Sequence, residues 1–403
     1  MKFSKSGQLF LVSAIGLLVA TLLTACQIVT IDYVFVASSV AAGTGGDGTI
    51  ETYAVDSESG AIRKGAPTVS SGGVDPVAMV VSSDFANLYV AHRGDNSIVH
   101  FAIAVNGVLT KKESVTLASA PVALAINGSH TLLFAVSGTT SATLSVFPLS
   151  SGAIGAAAVQ QVLTIPGYSG DTVLPTGVAV LANGAAVYVT AYDQSAYNPG
   201  GTPTSSANPG WVFGFAVGSG GALTPSNASP YKAGVKPSAV AGDPTDRFVY
   251  VTDFASNQLI GYSIQGGSTL NFLLNGPFRA GSEPIALVVD PRGKYIYVAN
   301  ALDSSVSAYS IDLTTGTPSG AVNTTGAQGN STDTQPVSIT IDPALGRFVY
   351  TANYLGNSVS GFRLDPNTGT LVTTQATPYP TGAKPTALAL VPHGNHSVQS
   401  VTP

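Results

Sequence analysis

The 403-residue chain has one cysteine, Cys26, and little charge. A single thiol forms no internal disulfide and no thiolate metal cluster, so stability has to come from packing. Charged residues make up 9% of the sequence, against about 25% in an average soluble domain. With a net charge of −5, the chain lacks the strongly basic character of nucleic-acid-binding proteins, so we predict no nucleic-acid partner.

Low charge does not indicate disorder here, because 44% of the residues are hydrophobic and they recur periodically. A unit of roughly 50 residues appears seven times. Each unit opens with a proline, and in most an aromatic residue follows 13 positions later. The pairs are Pro76 and Tyr89, Pro121 and Phe134, Pro175 and Tyr188, Pro237 and Tyr250, Pro284 and Tyr297, and, at 14 positions, Pro336 and Tyr350.

Within a unit, apolar residues alternate with a period of two, which indicates β-strands. Residues 284–291, 295–300 and 305–311 form three predicted strands, and a weak fourth follows. The third strand carries an aromatic residue that we expect to pack between adjacent sheets. In the seven units it is Tyr53, Phe101, Phe147, Phe215, Tyr262, Tyr309 and Phe362.

The termini predict how the repeats close. Residues 384–391 form a first strand without its successors, and residues 31–38 form a second strand without a predecessor. Pairing them in one sheet gives an all-β, seven-bladed β-propeller of four-stranded antiparallel blades. We number the blades from the one that holds residues 31–38.

The first residues have the features of an export signal. Lys2 and Lys5 precede an apolar stretch from Leu9 to Leu23 that is short for a membrane span. The following Leu-Thr-Ala-Cys resembles the lipobox of bacterial lipoproteins, which implies lipidation of Cys26. We therefore predict a signal peptide over 1–25, an anchor segment over 26–30, the propeller over 31–393, a tail over 394–403, and a location in the cell envelope. The alternative is an ordinary signal peptide followed by a cysteine without a role.

Strand direction places the residue before each blade-opening proline at the mouth of the central channel. These residues are Asp75, Ala120, Leu174, Lys236, Glu283, Gln335 and Lys384. One interpretation is that Lys236 pairs with Glu283 and Lys384 with Asp75, as solvated neighbours of opposite sign often do. The other is a polar mouth that orients an anionic or sugar-like ligand.

A second ring lies three residues after each second-strand aromatic residue, at Ser38, His92, Ser137, Ala191, Asp253, Asn300 and Asn353. His92 is its single imidazole and the best candidate for a general base. The alternative is that these side chains cap loop amides. No His, Asp or Glu spacing matches a metal motif, so we predict neither a metal nor a cofactor.

Blade 4 carries the one sizeable insertion, on the mouth side. It contains Tyr192, Asp193 and Tyr197 and ends at Trp211, the single tryptophan. Aromatic faces beside polar side chains suit sugar or peptide recognition. The alternative is a decorative loop, with Trp211 beginning the third strand.

The phrases at 297–300 and 350–353, with those at 305–309 and 358–362, are similar to the YVTN-type repeat. Residues 31–393 as a whole resemble the seven-bladed propellers grouped with 6-phosphogluconolactonase and muconate-cyclising enzymes. That resemblance implies a histidine, a glutamate and arginines near the channel mouth. In this chain the candidates are His92, Glu283, Asp253 and Arg93.

Two functions follow from these observations. The first is an exported, monomeric binding or scaffold module that uses Asp75, Lys236, Lys384 and the blade-4 loop to hold a sugar-like, lactone-like or peptide ligand. The second is a lactone hydrolase that uses His92 with Glu283, Asp253 or Arg93 at the same mouth.

Overall fold

The computed structural model describes residues 29–39, 46–167, 170–197, 209–320 and 329–403. The lipidation candidate Cys26 and the predicted signal peptide lie outside these residues. The described chain forms seven sheets whose first strands contact one another in a closed circle. The predicted seven-bladed propeller is confirmed, and none of the described helices has the length and apolar character that crossing a bilayer requires.

Blades 1 to 3 contain strands β1 to β12, and the last strand of the chain, β33, completes blade 1. Blade 1 consists of β33 (Pro385–Pro392), β1 (Thr30–Ser38), β2 (Thr49–Asp56) and β3 (Ile62–Ser70). Blade 2 consists of β4 (Pro76–Val81), β5 (Asn87–His92), β6 (Ser97–Ile103) and β7 (Leu109–Thr116). Blade 3 consists of β8 (Pro121–Ile126), β9 (Leu132–Ser137), β10 (Thr143–Ser150) and a fourth strand split into β11 (Ala153–Ile154) and β12 (Val159–Val162).

In blades 4 to 7 the fourth strand is again split into two short pieces. Blade 4 has β13 (Val173–Val180), β14 (Ala186–Asp193), β15 (Gly210–Val217), β16 (Leu223–Pro225) and β17 (Tyr231–Lys232). Blade 5 has β18 (Pro237–Gly242), β19 (Phe248–Asp253), β20 (Gln258–Gln265), β21 (Thr269–Phe272) and β22 (Phe278–Arg279). Blade 6 has β23 (Pro284–Val289), β24 (Tyr295–Asn300), β25 (Ser305–Ile311), β26 (Pro318–Ser319) and β27 (Asn330–Ser331). Blade 7 has β28 (Pro336–Ile341), β29 (Phe348–Asn353), β30 (Ser358–Leu364), β31 (Leu371–Thr373) and β32 (Tyr379–Pro380). Short 3₁₀ helices span Ser219–Gly221 and Gly394–Val398.

The two ends of the chain close the ring as predicted. Strand β33 pairs antiparallel with β1, with Phe35 opposite Ala389, and β1 pairs with β2. The innermost strand of blade 1 therefore comes from the C terminus and its three outer strands from the N terminus. Closure depends on hydrogen bonds and packing between segments that are more than 300 residues apart in sequence.

In blades 2, 4, 5, 6 and 7, a second-strand tyrosine binds the blade to the next one. Their rings are fully buried, and each hydroxyl donates to a backbone carbonyl in the turn between the third and fourth strands of the following blade. The pairs are Tyr89 to Gly152, Tyr188 to Ser268, Tyr250 to Gly316, Tyr297 to Gly369 and Tyr350 to Gly60, at 2.7–3.0 Å.

The third-strand aromatic residues pack between sheets, as expected, and all seven are buried. Three of their hydroxyls bond in the opposite direction, to the preceding blade. Tyr53 donates to Pro380, Tyr262 to Lys232 and Tyr309 to Arg279. Hydrogen bonds therefore run in both directions between blades 4 and 5, blades 5 and 6, and blades 7 and 1.

Aspartates close the turns between the first and second strands, on the rim opposite the channel mouth. Asp243 accepts hydrogen bonds from the amides of Arg247 and Phe248 at 2.8 and 2.7 Å. Asp290 does the same for Lys294 and Tyr295. These buried carboxylates therefore satisfy turn amides that would otherwise lack partners.

Candidate functional site

The residues before the blade-opening prolines form a ring at the channel mouth, which we call the mouth ring. Four of them, Asp75, Glu283, Gln335 and Lys384, adopt left-handed backbone conformations, with φ between 55° and 59°. Such conformations are unfavourable for residues with a Cβ and persist where the surroundings hold them.

The preceding blade supplies the groups that hold two of these residues. The amide of Glu283 donates to Asn257 Oδ1 at 2.8 Å, and the amide of Lys384 donates to Asn357 Oδ1 at 2.8 Å. Asn257 and Asn357 each end the loop between the second and third strands and are themselves left-handed, a conformation that asparagine tolerates well. Contacts between blades therefore set the position of the mouth-ring side chains.

Lys236 lies among aromatic side chains and near the carboxylate of Glu283. We call Lys236, Tyr192, Tyr197, Phe254 and Glu283 the Lys236 cluster. Its Nζ is 5.0 Å from the ring centre of Phe254, 5.3 Å from that of Tyr197 and 5.4 Å from that of Tyr192. These distances are within the range of cation–π attraction. Burial lowers the pKa of Lys236 below its usual value, and the negative charge of Glu283 on the next blade partly offsets that effect. The structure thus brings together three predicted ligand-binding residues and the predicted catalytic Glu283.

Lys236 and Glu283 interact electrostatically without direct contact. Both belong to the described residues, yet they form no direct ion pair, contrary to the first interpretation of the mouth ring. The ammonium is turned towards the rings of the blade-4 loop and Phe254. A ligand oxygen can therefore bind to the Lys236 ammonium without first breaking a salt bridge.

Asp253 holds the backbone that carries Lys236. Its carboxylate is fully buried and accepts hydrogen bonds from the amides of Val235 at 2.8 Å and Lys236 at 2.9 Å. The structure therefore gives Asp253 the role of a loop cap, which was the alternative interpretation of the second ring. It positions Lys236 and has no exposed surface for contact with a substrate.

His92 occupies the same strand-end position in blade 2 and is also fully buried. Its Nε2 is 3.0 Å from Ser71 Oγ, and its Nδ1 is 3.4 Å from Ser97 Oγ. Burial lowers the pKa of His92, with opposing contributions from Asp95 and Asp47. A neutral imidazole with no exposed surface does not contact a ligand in this conformation, so the geometry does not support the prediction of His92 as general base.

The equivalent positions in blades 6 and 7 are asparagines that cap the next strand. Asn300 donates to Ser305 and Ser307, and Asn353 donates to Ser358 at 3.0 Å. In these blades the second-ring side chains are therefore buried and bind serine hydroxyls of the third strand.

Asp75 pairs with a different partner from the one expected. Arg93 lies in the loop between β5 and β6 of the same blade and contacts the carboxylate of Asp75 at 2.8 Å. Ser39 donates to the same carboxylate at 2.8 Å. Lys384, the partner expected from sequence, lies instead over the ring of Tyr354, with Nζ 5.7 Å from the ring centre. The proposed pair of Lys384 and Asp75 is wrong, because the loop between β5 and β6 brings Arg93 closer.

The remaining residues of the blade-4 loop separate into two groups. Tyr192 and Tyr197 meet edge to face at 5.6 Å, and Asp193 accepts the amide of Ser195 at 2.9 Å, which holds the start of the loop. Trp211 lies in strand β15 with the ammonium of Lys232 over its ring at 3.6 Å. Trp211 thus begins the third strand, and residues 198–208 between the two groups lie outside the described part of the chain.

Phe254 and Asn257 contribute to the mouth but were not singled out from sequence. Phe254 follows Asp253 directly, and its counterpart in blade 7 is Tyr354 under Lys384. An aromatic residue immediately after the strand-end cap is therefore the signal that could have identified both lysine contacts.

The family model described as "Lactonase, 7-bladed beta-propeller" matches residues 47–166 and 221–399, about three quarters of the chain. A solved structure of a putative 6-phosphogluconolactonase from Bacteroides fragilis is 18% identical with a TM-score of 0.71, covering 91% of this chain and 99% of that one. The periplasmic gluconolactonase of Pseudomonas aeruginosa is 18% identical with a TM-score of 0.69, covering 90% of this chain and 99% of that one. The comparison with curated proteins found no match. At these identities the solved structures are evidence of the shared fold alone.

Proposed function

The chain belongs to the family of seven-bladed β-propeller lactonases, and from that premise we propose that it hydrolyses a small sugar-acid lactone at the channel mouth. The observation that carries the proposal is the Lys236 cluster. A half-buried ammonium and the carboxylate of Glu283 occupy neighbouring mouth-ring positions, with aromatic rings beside them.

Lactone hydrolysis needs a group that stabilises negative charge and a group that accepts a proton. Lys236 supplies positive charge for the oxyanion that forms when water attacks the lactone carbonyl. Glu283 takes the proton from that water and returns it to the ring oxygen as the C–O bond breaks. The product is a hydroxy acid, whose new carboxyl group releases the second water proton to solvent. The resulting carboxylate pairs with Lys236 until it leaves.

The aromatic side chains fit the same class of substrate. Tyr192, Tyr197 and Phe254 offer apolar faces for the C–H surface of a sugar ring, and the tyrosine hydroxyls offer polar edges. These rings also shield Lys236 from solvent. In that environment its attraction for an anion is stronger than in bulk water.

The test is proton release from glucono-δ-lactone and 6-phosphogluconolactone by the purified protein. We expect Lys236→Met and Glu283→Gln each to lower kcat/KM about 100-fold or more. Lys384→Met is the matched control, because Lys384 holds the same mouth-ring position in blade 1, outside the Lys236 cluster, and should retain activity. Turnover that survives both cluster substitutions contradicts the proposed site.

His92→Ala separates this site from the one suggested by sequence. Because His92 is buried between Ser71 and Ser97, we expect its substitution to lower stability while the folded fraction keeps its turnover. Loss of turnover at unchanged stability and unchanged ligand affinity would favour His92 as the base instead.

A binding module without turnover is the second candidate, favoured by the burial of His92 and Asp253. In that case calorimetry with gluconate detects binding that Lys236→Met and Tyr192→Ala weaken, while no lactone is consumed. The two candidates share a site, so the same variants distinguish them by whether turnover accompanies binding.

We also propose that the chain is exported and tethered to a membrane by a lipid on Cys26. The apolar segment before Leu-Thr-Ala-Cys supports this, and one lipid-bearing residue anchors a chain without spanning the bilayer. Metabolic labelling with an alkyne fatty acid should label Cys26, the single cysteine, and Cys26→Ser should release the protein from the membrane fraction. Unchanged labelling and fractionation of Cys26→Ser contradict the anchor.

A further inference from the structure

Three side chains from distant parts of the sequence meet at the seam where the ring closes, on the rim opposite the channel mouth. Asp32 lies in strand β1, Asp342 begins the turn after β28, and His396 lies in the 3₁₀ helix that follows β33. All three are buried, with at most 4% of each residue exposed. His396 Nε2 is 3.1 Å from Asp342 Oδ1 and 3.4 Å from Asp32 Oδ1. We call this group the seam cluster.

Asp32 is the member whose environment is incomplete. It has no exposed surface, and neither of its carboxylate oxygens has a hydrogen-bond partner. The 3.4 Å approach of His396 is an ion-pair distance without hydrogen-bond geometry. A buried carboxylate without partners is costly unless it is protonated or a positive charge binds to it.

Asp342 differs because the turn already satisfies it. Its oxygens accept the amides of Ala344 at 2.9 Å and Arg347 at 3.0 Å. These bonds hold the Asp342 carboxylate in a fixed orientation towards His396. Arg347 adds a positive charge near the cluster, but its guanidinium donates to the carbonyl of Ser57.

Nδ1 of His396, the ring nitrogen that faces away from the two carboxylates, has a hydrogen-bond acceptor, as it does in metal-binding histidines. Nδ1 is 2.8 Å from Oε1 of Gln399, an acceptor that holds a proton on Nδ1, so that in the neutral ring the lone pair is on Nε2. Nε2 is the nitrogen that faces the two carboxylates. A proton on Nε2 would satisfy Asp342 but would still leave Asp32 without a donor.

We propose that Asp32, Asp342 and His396 form a binding site for a divalent transition-metal ion such as Zn²⁺. The three ligand atoms lie within 4.8 Å of one another. Donor atoms bound tetrahedrally to zinc at 2.0–2.1 Å are about 3.3 Å apart, close to the two distances measured from His396 Nε2. One imidazole and two carboxylates match the ligands that zinc accepts, with water in the fourth position.

The position of the site gives the ion a structural role. It joins the N-terminal strand of blade 1, the turn between the first and second strands of blade 7 and the segment after β33, which are the pieces that ring closure brings together. Because the ion binds the closed ring and not the unfolded chain, it stabilises closure.

The test uses untagged, chelator-stripped protein. Zinc binding is measured by titration calorimetry, and stability is measured by urea unfolding with and without zinc. We expect one zinc per chain and a higher urea midpoint in its presence. Asp32→Asn keeps the shape of the side chain and should abolish both effects. Gln399→Ala, at an exposed position, should weaken affinity about 10- to 100-fold without disturbing the fold.

His130→Gln is the matched control, because His130 and Asp84 form an exposed histidine–carboxylate pair at 3.7 Å. It should leave zinc affinity unchanged. Absence of stoichiometric binding overturns the proposal, as does binding that persists in Asp32→Asn or is lost in His130→Gln. If Asp32→Asn does not fold, Gln399→Ala decides, and unchanged affinity in that variant counts against the site.

Discussion

Replacing Gly316 with alanine tests how the blades are packed against one another. Gly316 is buried in the turn between the third and fourth strands of blade 6, with φ of 75°, and its carbonyl accepts the hydroxyl of Tyr250 in blade 5. A Cβ at this position would meet the ring of Phe248 in blade 5, well inside van der Waals contact. The glycine is therefore needed both for its backbone conformation and for the close approach of two blades.

The expected loss is the sum of three terms. A residue with a Cβ in the left-handed region costs about 1–2 kcal/mol, and overpacking against Phe248 costs about 1–3 kcal/mol. The smaller entropy of the unfolded chain offsets about 0.4–1 kcal/mol. We expect Gly316→Ala to lower the free energy of unfolding by about 1–4.6 kcal/mol.

Gly267 supplies a matched control, because it lies in the corresponding turn of blade 5, with φ of 85° and no atom within 4 Å of an added Cβ. Gly267→Ala therefore incurs the backbone cost without the contact with a neighbouring blade. The measurement is urea unfolding of both variants, monitored by circular dichroism. Phe248→Leu in the Gly316→Ala background should recover part of the loss. Equal destabilisation by the two alanines, or no recovery, would refute the packing argument.

Three further predictions concern closure, pH and the mouth. Truncation after Gly382 removes β33 and should abolish cooperative unfolding; an unchanged melting temperature would contradict noncovalent closure. Burial raises the pKa of Glu113. Hydrogen bonds from the amide of Ile154 and from His100 outweigh the effect of burial and hold this pKa below its ordinary value of 4.5. The stabilisation is thus complete above pH 4.5 and is lost as the pH falls through the lowered folded-state value; urea midpoints across pH should fall less steeply for Glu113→Gln, and parallel curves would count against this. Asp253→Ala leaves the amide of Lys236 without its acceptor and should cost about 1–3 kcal/mol in thermal unfolding, where a variant as stable as the parent would rule out the capping role.

The strand-end ring shows where sequence reasoning reached its limit. Strand period identifies the strand to which His92 and Asp253 belong and the end at which they lie. It does not reveal that the loop from the preceding blade folds over them, with Ser71 against His92 and Val235 against Asp253. Burial at these positions results from contacts between blades, so two predicted catalytic residues have no exposed surface.

The partner of Asp75 shows the same limit for charged pairs. Residues at equivalent positions of adjacent blades are natural candidates for pairing, and this suggested Lys384. Arg93 is closer because the loop between β5 and β6 folds back over the start of β4. There the amide of Arg93 donates to the carbonyl of Asp75 at 2.9 Å. The folding of one loop decides such a pair, and a repeat spacing contains no information about it.

The sequence by itself determined the number of blades, the strand order and the closure, because a fixed repeat with period-two alternation has few ways to bury both faces of each sheet. It also located the lysines and glutamate of the mouth ring. The tertiary structure alone decided which of them share a site, since the Lys236 cluster combines residues from blades 4, 5 and 6. The same holds for Asp32, Asp342 and His396, which closure brings within 4.8 Å. Side chains so far apart in sequence meet only when packing between blades completes the ring.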